Sequence, residues 1–160
     1  MTVEELIDQH GDDILRLCLL YMGERQLAED AFQETFVRAW RHMNTFRGES
    51  SAKTWLSHIA VNVCRDMLRT PWLRMRRSAR SVEEMEHLPA PDATPRHELM
   101  DAIRALPDKY REVIVLYYYE DMKVREIAYM LKLSVNSVST RLRRGRALLA
   151  RTLKEDIADE

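Results

Sequence analysis

Apolar side chains return at three- and four-residue steps along most of this 160-residue chain, and that spacing fails over one long stretch, residues 70–97. Steps averaging 3.6 put one apolar stripe on a helix, whereas a half-buried strand would alternate by two. The pattern predicts an all-α protein of two small helical domains, and the low glycine and proline content, four and five residues, agrees. Val3, Leu6, Ile7, His10, Ile14, Leu17, Cys18 and Tyr21 mark a first helix that Gly23 ends. A second runs from about Leu27 to Met43, with Ala28, Ala31, Phe32, Thr35, Phe36, Ala39, Trp40 and Met43 inward. After a polar break at 44–50, Ser50 or Ser51 caps a third helix to about Leu68. Its inward stripe is Leu56, Ile59, Ala60, Val63, Cys64, Met67 and Leu68. Residues 1–69 therefore make an N-terminal helix bundle.

Prolines without apolar spacing mark residues 70–97 as a flexible linker, in which Leu73 and Met75 allow one helical turn. Helical spacing resumes at Glu98 and passes through Leu99, Ile103 and Leu106 to Pro107. A helix from Asp108 to Glu120 comes next, then a pair at 123–131 and 134–153. In that pair Val124, Ile127, Ala128 and Leu131 face inward, as do Val135, Val138 and Leu142 after the Ser134 cap. Such spacing is that of a helix-turn-helix, whose second helix enters the DNA major groove by its N-terminal half. Residues 98–160 form this C-terminal domain. Lys132 stands in the turn, where a positive φ at a non-glycine costs roughly 1 kcal/mol.

The net charge of −1 hides strong segregation. Residues 1–50 hold five basic and ten acidic side chains, whereas residues 51–82 hold seven basic and one acidic. Residues 83–101 are acidic again, and residues 121–154 hold nine basic and two acidic. Two basic blocks, each on a patterned helix, point to two nucleic-acid surfaces rather than two merely solvated faces. On the last helix Asn136, Ser137, Ser139, Thr140, Arg141, Arg143, Arg144 and Arg146 face outward, with Ser134 at the cap. Asn pairs with adenine and Arg with guanine, and hydroxyls reach bases or phosphates. On the second helix Gln33, Glu34, Val37 and Arg41 fall within about 60° of Asp30, with Arg38 beside them. On the third, His58, Asn62, Arg65 and Arg69 share a face. Phe46, Arg47, Gly48 and Lys53 before it, with Trp55, suit an unpaired base strand, although Phe46 and Trp55 equally suit a cover for the bundle end.

Other classes recede. No apolar run approaches a membrane span, and the acidic start at Met1–Gln9 predicts no secretory leader. Cys18 and Cys64 fall on apolar helical positions, so a reducing cytoplasm is expected. The five histidines, at 10, 42, 58, 87 and 97, show no metal-binding spacing, and no nucleophile pairing appears. We expect no enzyme and no cofactor.

The strings Asp30-Ala-Phe-Gln33-Glu34-Thr-Phe36-Val-Arg38-Ala-Trp40, Phe46-Arg47-Gly48-Glu49-Ser50-Ser51, Thr54-Trp55-Leu56 and Ile59-Ala60-Val61-Asn62 resemble region 2 of the extracytoplasmic-function (ECF) group of bacterial sigma factors. Leu106-Pro107-Asp-Lys-Tyr110-Arg111-Glu112-Val113 and Glu126-Ile127-Ala128 through Arg146-Ala147-Leu148 resemble region 4 of that group. The resemblance covers nearly the whole chain. It implies that Asp30, Gln33, Glu34 and Arg38, with Val37 and Arg41 on the same face, dock on the β′ clamp helices of core RNA polymerase. It implies that the loop Phe46, Arg47, Gly48, Glu49, Ser50, Ser51 and Lys53, next to Trp55, captures a flipped base of the melted −10 element. Asn62, Arg65 and Arg69, with His58 on their face, would lie along that element. The helix from Ser134 would read the duplex −35 element. Further implied partners are the polymerase β flap and an anti-sigma factor, often membrane-tethered, with the free protein a monomer. Lys123 and Ser139 depart from the residues common in the group.

The two elements lie roughly 50–70 Å apart at about 34–36 Å per turn. A flexible linker of about 28 residues averages only about 30 Å, so polymerase must set the spacing. The competing readings are a stand-alone helix-turn-helix regulator, which would bind duplex tightly alone, and a helical adaptor indifferent to the Arg143 and Arg144 charges.

Overall fold

The computed structural model describes residues 1–70 and 95–158, and among them only helices and turns occur. The chain divides into two compact units, Met1–Leu88 and Pro89–Glu160.

The first unit holds α1 (Val3–Met22), α2 (Arg25–His42), a 3-10 turn (Met43–Thr45) and α3 (Ala52–Leu68). Each helix packs on the other two. Thr2 and Glu5 form a reciprocal capping box at the start of α1, and Gly23 ends it at φ 75, a left-handed conformation that glycine takes without steric cost. Ser51 caps α3, its hydroxyl accepting from the Thr54 amide at 3.1 Å. The core gathers Leu6, Ile14, Leu17, Tyr21, Leu56 and Val63, all at most 1 % exposed.

Helix α2 differs from its sequence reading. It meets the bundle along Leu27, Ala28, Ala31, Thr35, Phe36 and Ala39. Small residues let the helices approach closely, and Thr35 joins them because its hydroxyl donates to the Ala31 carbonyl at 2.7 Å. Trp40, expected inside, lies one step beyond this arc and is 66 % exposed. Ile7 of α1 is also exposed, while Ser57 and Val61 of α3 are buried without having been expected.

The second unit holds α4 (Pro95–Arg104), α5 (Asp108–Ile114), a π-helical turn (Val115–Tyr119), α6 (Val124–Leu131) and α7 (Val135–Ala158). Helix α4 begins three residues before the expected Glu98, since proline suits the first helical position. The turn expected at Leu73 and Met75, and the basic run with them, lie outside the described residues. The single helix expected from Asp108 to Glu120 is interrupted. The Glu120 amide donates to the Val115 carbonyl five residues back, and Asp121 comes next at φ 54. Lys132 takes φ 57 and ψ 44, the left-handed conformation, in a turn without glycine.

Helices α4, α5 and α6 all pack on α7. Val113, Ile114, Leu116, Ile127, Val138 and Leu142 form the centre, each at most 2 % exposed. Val135, expected inward, is 49 % exposed, whereas Val138 one turn on is fully buried. Leu99 is likewise exposed. At Gly145 α7 lies close against α5: a Cβ there would lie 3.0 Å from Ile114 Cγ1 and 3.5 Å from Tyr110 Cβ. A branched side chain has no room. Gly145→Val is expected to destabilise this unit by about 2 kcal/mol. Thermal denaturation would register that as a midpoint about 10 °C lower. Gly145→Ala should be near neutral, because better helix propensity offsets the squeeze on Ile114.

Candidate nucleic-acid and polymerase interface

Residues singled out on α2 form one exposed surface. Asp30, Gln33, Val37 and Arg41 are exposed, and Glu34 and Arg38 are half-buried. Gln26 donates to Asp30 at 3.2 Å, and Arg38 Nε donates to Glu34 at 3.1 Å, the i,i+4 pair that the spacing predicts. Arg38 also reaches α3, with Nη1 3.5 Å from Asp66 Oδ2. Trp40 continues the row Gln33, Val37, Trp40 at steps of four and three, so an aromatic plane extends this face. The sequence reading missed it by assigning Trp40 to the core. The signal was present, since only Ala39 of that pair lines up with Ala28, Ala31 and Thr35.

The loop before α3 is built as a tight turn. Gly48 sits at φ 75 with nothing within 4 Å of the position a Cβ would take. Arg47, Glu49 and Ser50 are exposed. Phe46 packs on Trp55 with ring centroids 4.9 Å apart, which anchors the loop to the first turn of α3. Lys53 lies 3.5 Å from Asp13 of α1. His58 and Arg69 are exposed, and Asn62 and Arg65 half-buried. Arg65 Nη2 stands 3.6 Å from Asp66.

In the second unit, Ser134 caps α7, accepting from the Ser137 amide at 3.0 Å, and the two hydroxyls lie 2.9 Å apart. Their first duty is thus the cap. At the start of α6 the Glu126 carboxylate accepts from the Lys123 amide at 3.3 Å, which compensates for a residue without an acceptor at the cap. Asn136, Ser139, Arg143, Arg144 and Arg146 are exposed along α7, with Thr140 and Arg141 half-buried. Tyrosines flank this basic face. Arg146 Nε donates to the Tyr118 hydroxyl, and its guanidinium stands 5.5 Å from the Tyr118 ring centre and 5.7 Å from that of Tyr117. On α5, burial pushes the Tyr110 hydroxyl up, but the hydrogen bond with Arg144 and the charge of Lys109 outweigh it, and the phenol sits below its usual range. The Lys109 ammonium is 5.0 Å from that ring. The contacts of Arg146 with Tyr117 and Tyr118 link residues far apart in the chain, so no local spacing could reveal them.

Arg111 is 2 % exposed, although nothing in its spacing sets it apart. It donates to the Leu106 carbonyl at 2.8 Å and to Asp108 at 2.6 Å, tying the α4–α5 corner. Among the described residues no group of His, Cys, Asp and Glu could hold a metal ion, and no helix is long and apolar enough to cross a membrane.

Comparison with known proteins accounts for both units. Residues 6–74 match Sigma-70 region 2, and residues 96–149 match Sigma-70 region 4. The ECF RNA polymerase sigma factor SigW of Bacillus subtilis is 32% identical, over 94% of this chain and 88% of its own length. SigM of the same organism is 28% identical over the whole of both chains. Among solved structures, CnrH in complex with the cytosolic domain of CnrY matches with a TM-score of 0.56 and 29% identity, covering 96% of this chain and 88% of that one. The Bartonella quintana sigma factor RpoE, solved with the anti-sigma factor NepR, shares the fold at a TM-score of 0.68 and 21% identity, over 94% and 96% of the two chains. With both sigma regions in order along an all-α chain, the protein belongs to the ECF RNA polymerase sigma factors, the subunits that direct core polymerase to promoters.

Proposed function

We propose a division of labour between the two units. Residues 1–69 bind core polymerase and the melted −10 element, and residues 98–160 bind the duplex −35 element and the β flap. The α2 row from Asp30 to Arg41 docks on the β′ clamp helices, with Trp40 as its aromatic anchor. The Gly48 turn beside the Phe46–Trp55 pair holds a flipped base, while Asn62, Arg65 and Arg69 track the strand. Helix α7 enters the major groove by its first turns. The observation that carries this reading is the row of exposed Asn136, Ser139 and Arg143 on a helix whose cap and turn are closed by their own hydrogen bonds. Its readers are thus free to face bases.

The chain acts by binding alone and catalyses no covalent step. It works in the cytoplasm, and as CnrH is held by a cytosolic domain of CnrY, this chain is held by an anti-sigma partner until released. Free of partners it is a monomer. Each unit offers a small contact, so joint engagement on polymerase supplies the affinity.

The test is transcription in vitro with sigma-free core polymerase and fragmented genomic template, then sequencing of RNA 5′ ends. Discrete starts sharing paired upstream elements are expected, whereas tight duplex binding by the chain alone with no starts would overturn the reading. On a promoter so mapped, Arg144→Ala should lower −35-dependent initiation by roughly tenfold, the loss of one base or phosphate contact. An unchanged rate would remove Arg144 from the reading helix.

A further inference from the structure

We propose that Tyr118 is a positioning residue which, through the π-helical turn, holds Arg146 as a fixed clamp for one DNA phosphate at the edge of the −35 element. The inference rests on the reading of α7 as the −35 helix. An arginine on an exposed helix ordinarily samples many rotamers and loses that freedom when it binds. Here contacts with two tyrosines already restrict that freedom. The Tyr118 hydroxyl accepts from Nε, and the guanidinium stands 5.7 Å from the Tyr117 ring centre and 5.5 Å from that of Tyr118. The two rings meet edge to face at 4.8 Å and brace one another.

With Nε taken by Tyr118, the side-on donor pair is closed and the end-on pair remains. The terminal pair, Nη1 and Nη2, makes no hydrogen bond among the described residues. Those nitrogens present the parallel donors that fit two phosphate oxygens. Arg146 lies on the row Ser139, Arg143, Arg146, at steps of four and three, so it shares a face with two proposed readers. It stands about 10 Å further along the helix than Ser139, at 1.5 Å per residue, where a recognition helix leaves the base edges for the backbone. Residues 121–154 carry nine basic and two acidic side chains, which favours a phosphate over a carboxylate of a protein partner only when the helix faces DNA.

Tyr117 and Tyr118 lie inside the π turn, in which the Glu120 amide reaches back five residues to the Val115 carbonyl, and that turn carries Tyr118 to Arg146 of α7. Such turns cluster at functional sites, and this one delivers two consecutive tyrosines to a helix 28 residues away in sequence.

The test uses holoenzyme reconstituted from core polymerase and the full chain, on a mapped promoter fragment carrying single neutral methylphosphonates across the −35 region. Wild-type holoenzyme should lose affinity when one particular phosphate is neutralised. Tyr118→Phe should bind the unmodified promoter about three- to tenfold more weakly and lose its sensitivity at that same position. Arg146→Ala should do the same, and adding Tyr118→Phe to it should change nothing further. Thermal denaturation of Tyr118→Phe should match wild type. The proposal is overturned if Tyr118→Phe keeps the wild-type phosphate profile, or weakens binding equally in the Arg146→Ala background. It is also overturned if both variants lose affinity for core polymerase instead of DNA. Arg144→Ala, run in parallel, separates this outcome from failure of the −35 reading itself, since it should weaken promoter binding whether or not Tyr118 matters.

Discussion

Replacing Gln33 and Glu34 together by alanine should weaken binding to core RNA polymerase by one to two orders of magnitude, with circular dichroism unchanged. Gln33 stands on the outward face of α2 and Glu34 bonds Arg38 of the same helix, so the alanine-lined contact of α2 with the bundle depends on neither. Alanine also has the higher helix propensity. Interfaces of this kind concentrate their energy in a few residues, and loss of two such contacts is worth about 2 kcal/mol. Trp40→Ala should match this loss, since tryptophan is enriched at interface centres and this one is two-thirds exposed in the free chain. Titration of labelled protein with core polymerase checks both. Unaltered affinity in the double variant would move the docking surface off α2.

A different kind of loss is expected at Arg111. Arg111→Ala removes the one side chain that joins the Leu106 carbonyl to Asp108, and it leaves a hole at a residue 2 % exposed. Asp108 is about half exposed and can rehydrate, so the larger part of the cost is the buried carbonyl and the cavity. About 3 kcal/mol is expected, a large share of what a unit this small holds. Because the chain divides into two compact units, the damage should be local. Amide exchange should accelerate roughly a hundredfold in α5 and α7 while α1–α3 keep their protection. Arg111→Lys should recover little, because an ammonium cannot span both acceptors as the guanidinium fork does. Equal loss of protection in both units would show instead that they fold as one.

Legibility in the sequence was set by the quantity that periodicity measures. Helices with one clear apolar stripe and polar punctuation could be placed closely: Gly23 and Ser51 mark ends that their backbone and side-chain chemistry force. The turn at Lys132 was readable in place but not in its residue, since the Ser134 cap fixes where the next helix begins, yet a lysine takes the left-handed position that usually favours glycine. Failures came where packing distance, and not hydrophobicity, chooses the partner. Trp40 is the most apolar large residue near the end of α2, yet the bundle selects the alanines because they permit close approach. Val135 is apolar and terminal, and it stays half exposed. The π turn is invisible to a 3.6-residue template because its extra residue leaves an almost unbroken apolar run, Val113 to Leu116. Gly145 and Arg111 carry meaning only through contacts that spacing cannot encode. For the site, helical angle grouped the outward residues, but it could not show that tyrosines hold Arg146.

Arg38 has a consequence for traffic between the faces of the first unit. Its guanidinium is shared between Glu34 on α2 and Asp66 on α3, and Asp66 in turn stands beside Arg65. Four charges alternate in sign from the proposed docking row to the proposed strand-binding helix. A partner that claims the Glu34 carboxylate leaves Arg38 to Asp66, and a better satisfied Asp66 holds Arg65 less. Arg65 then turns to a phosphate more readily. By reciprocity, DNA at Arg65 must favour the partner at Glu34 by the same factor. For pairs this exposed that factor is about twofold, a small but two-way linkage between occupancy of the two faces.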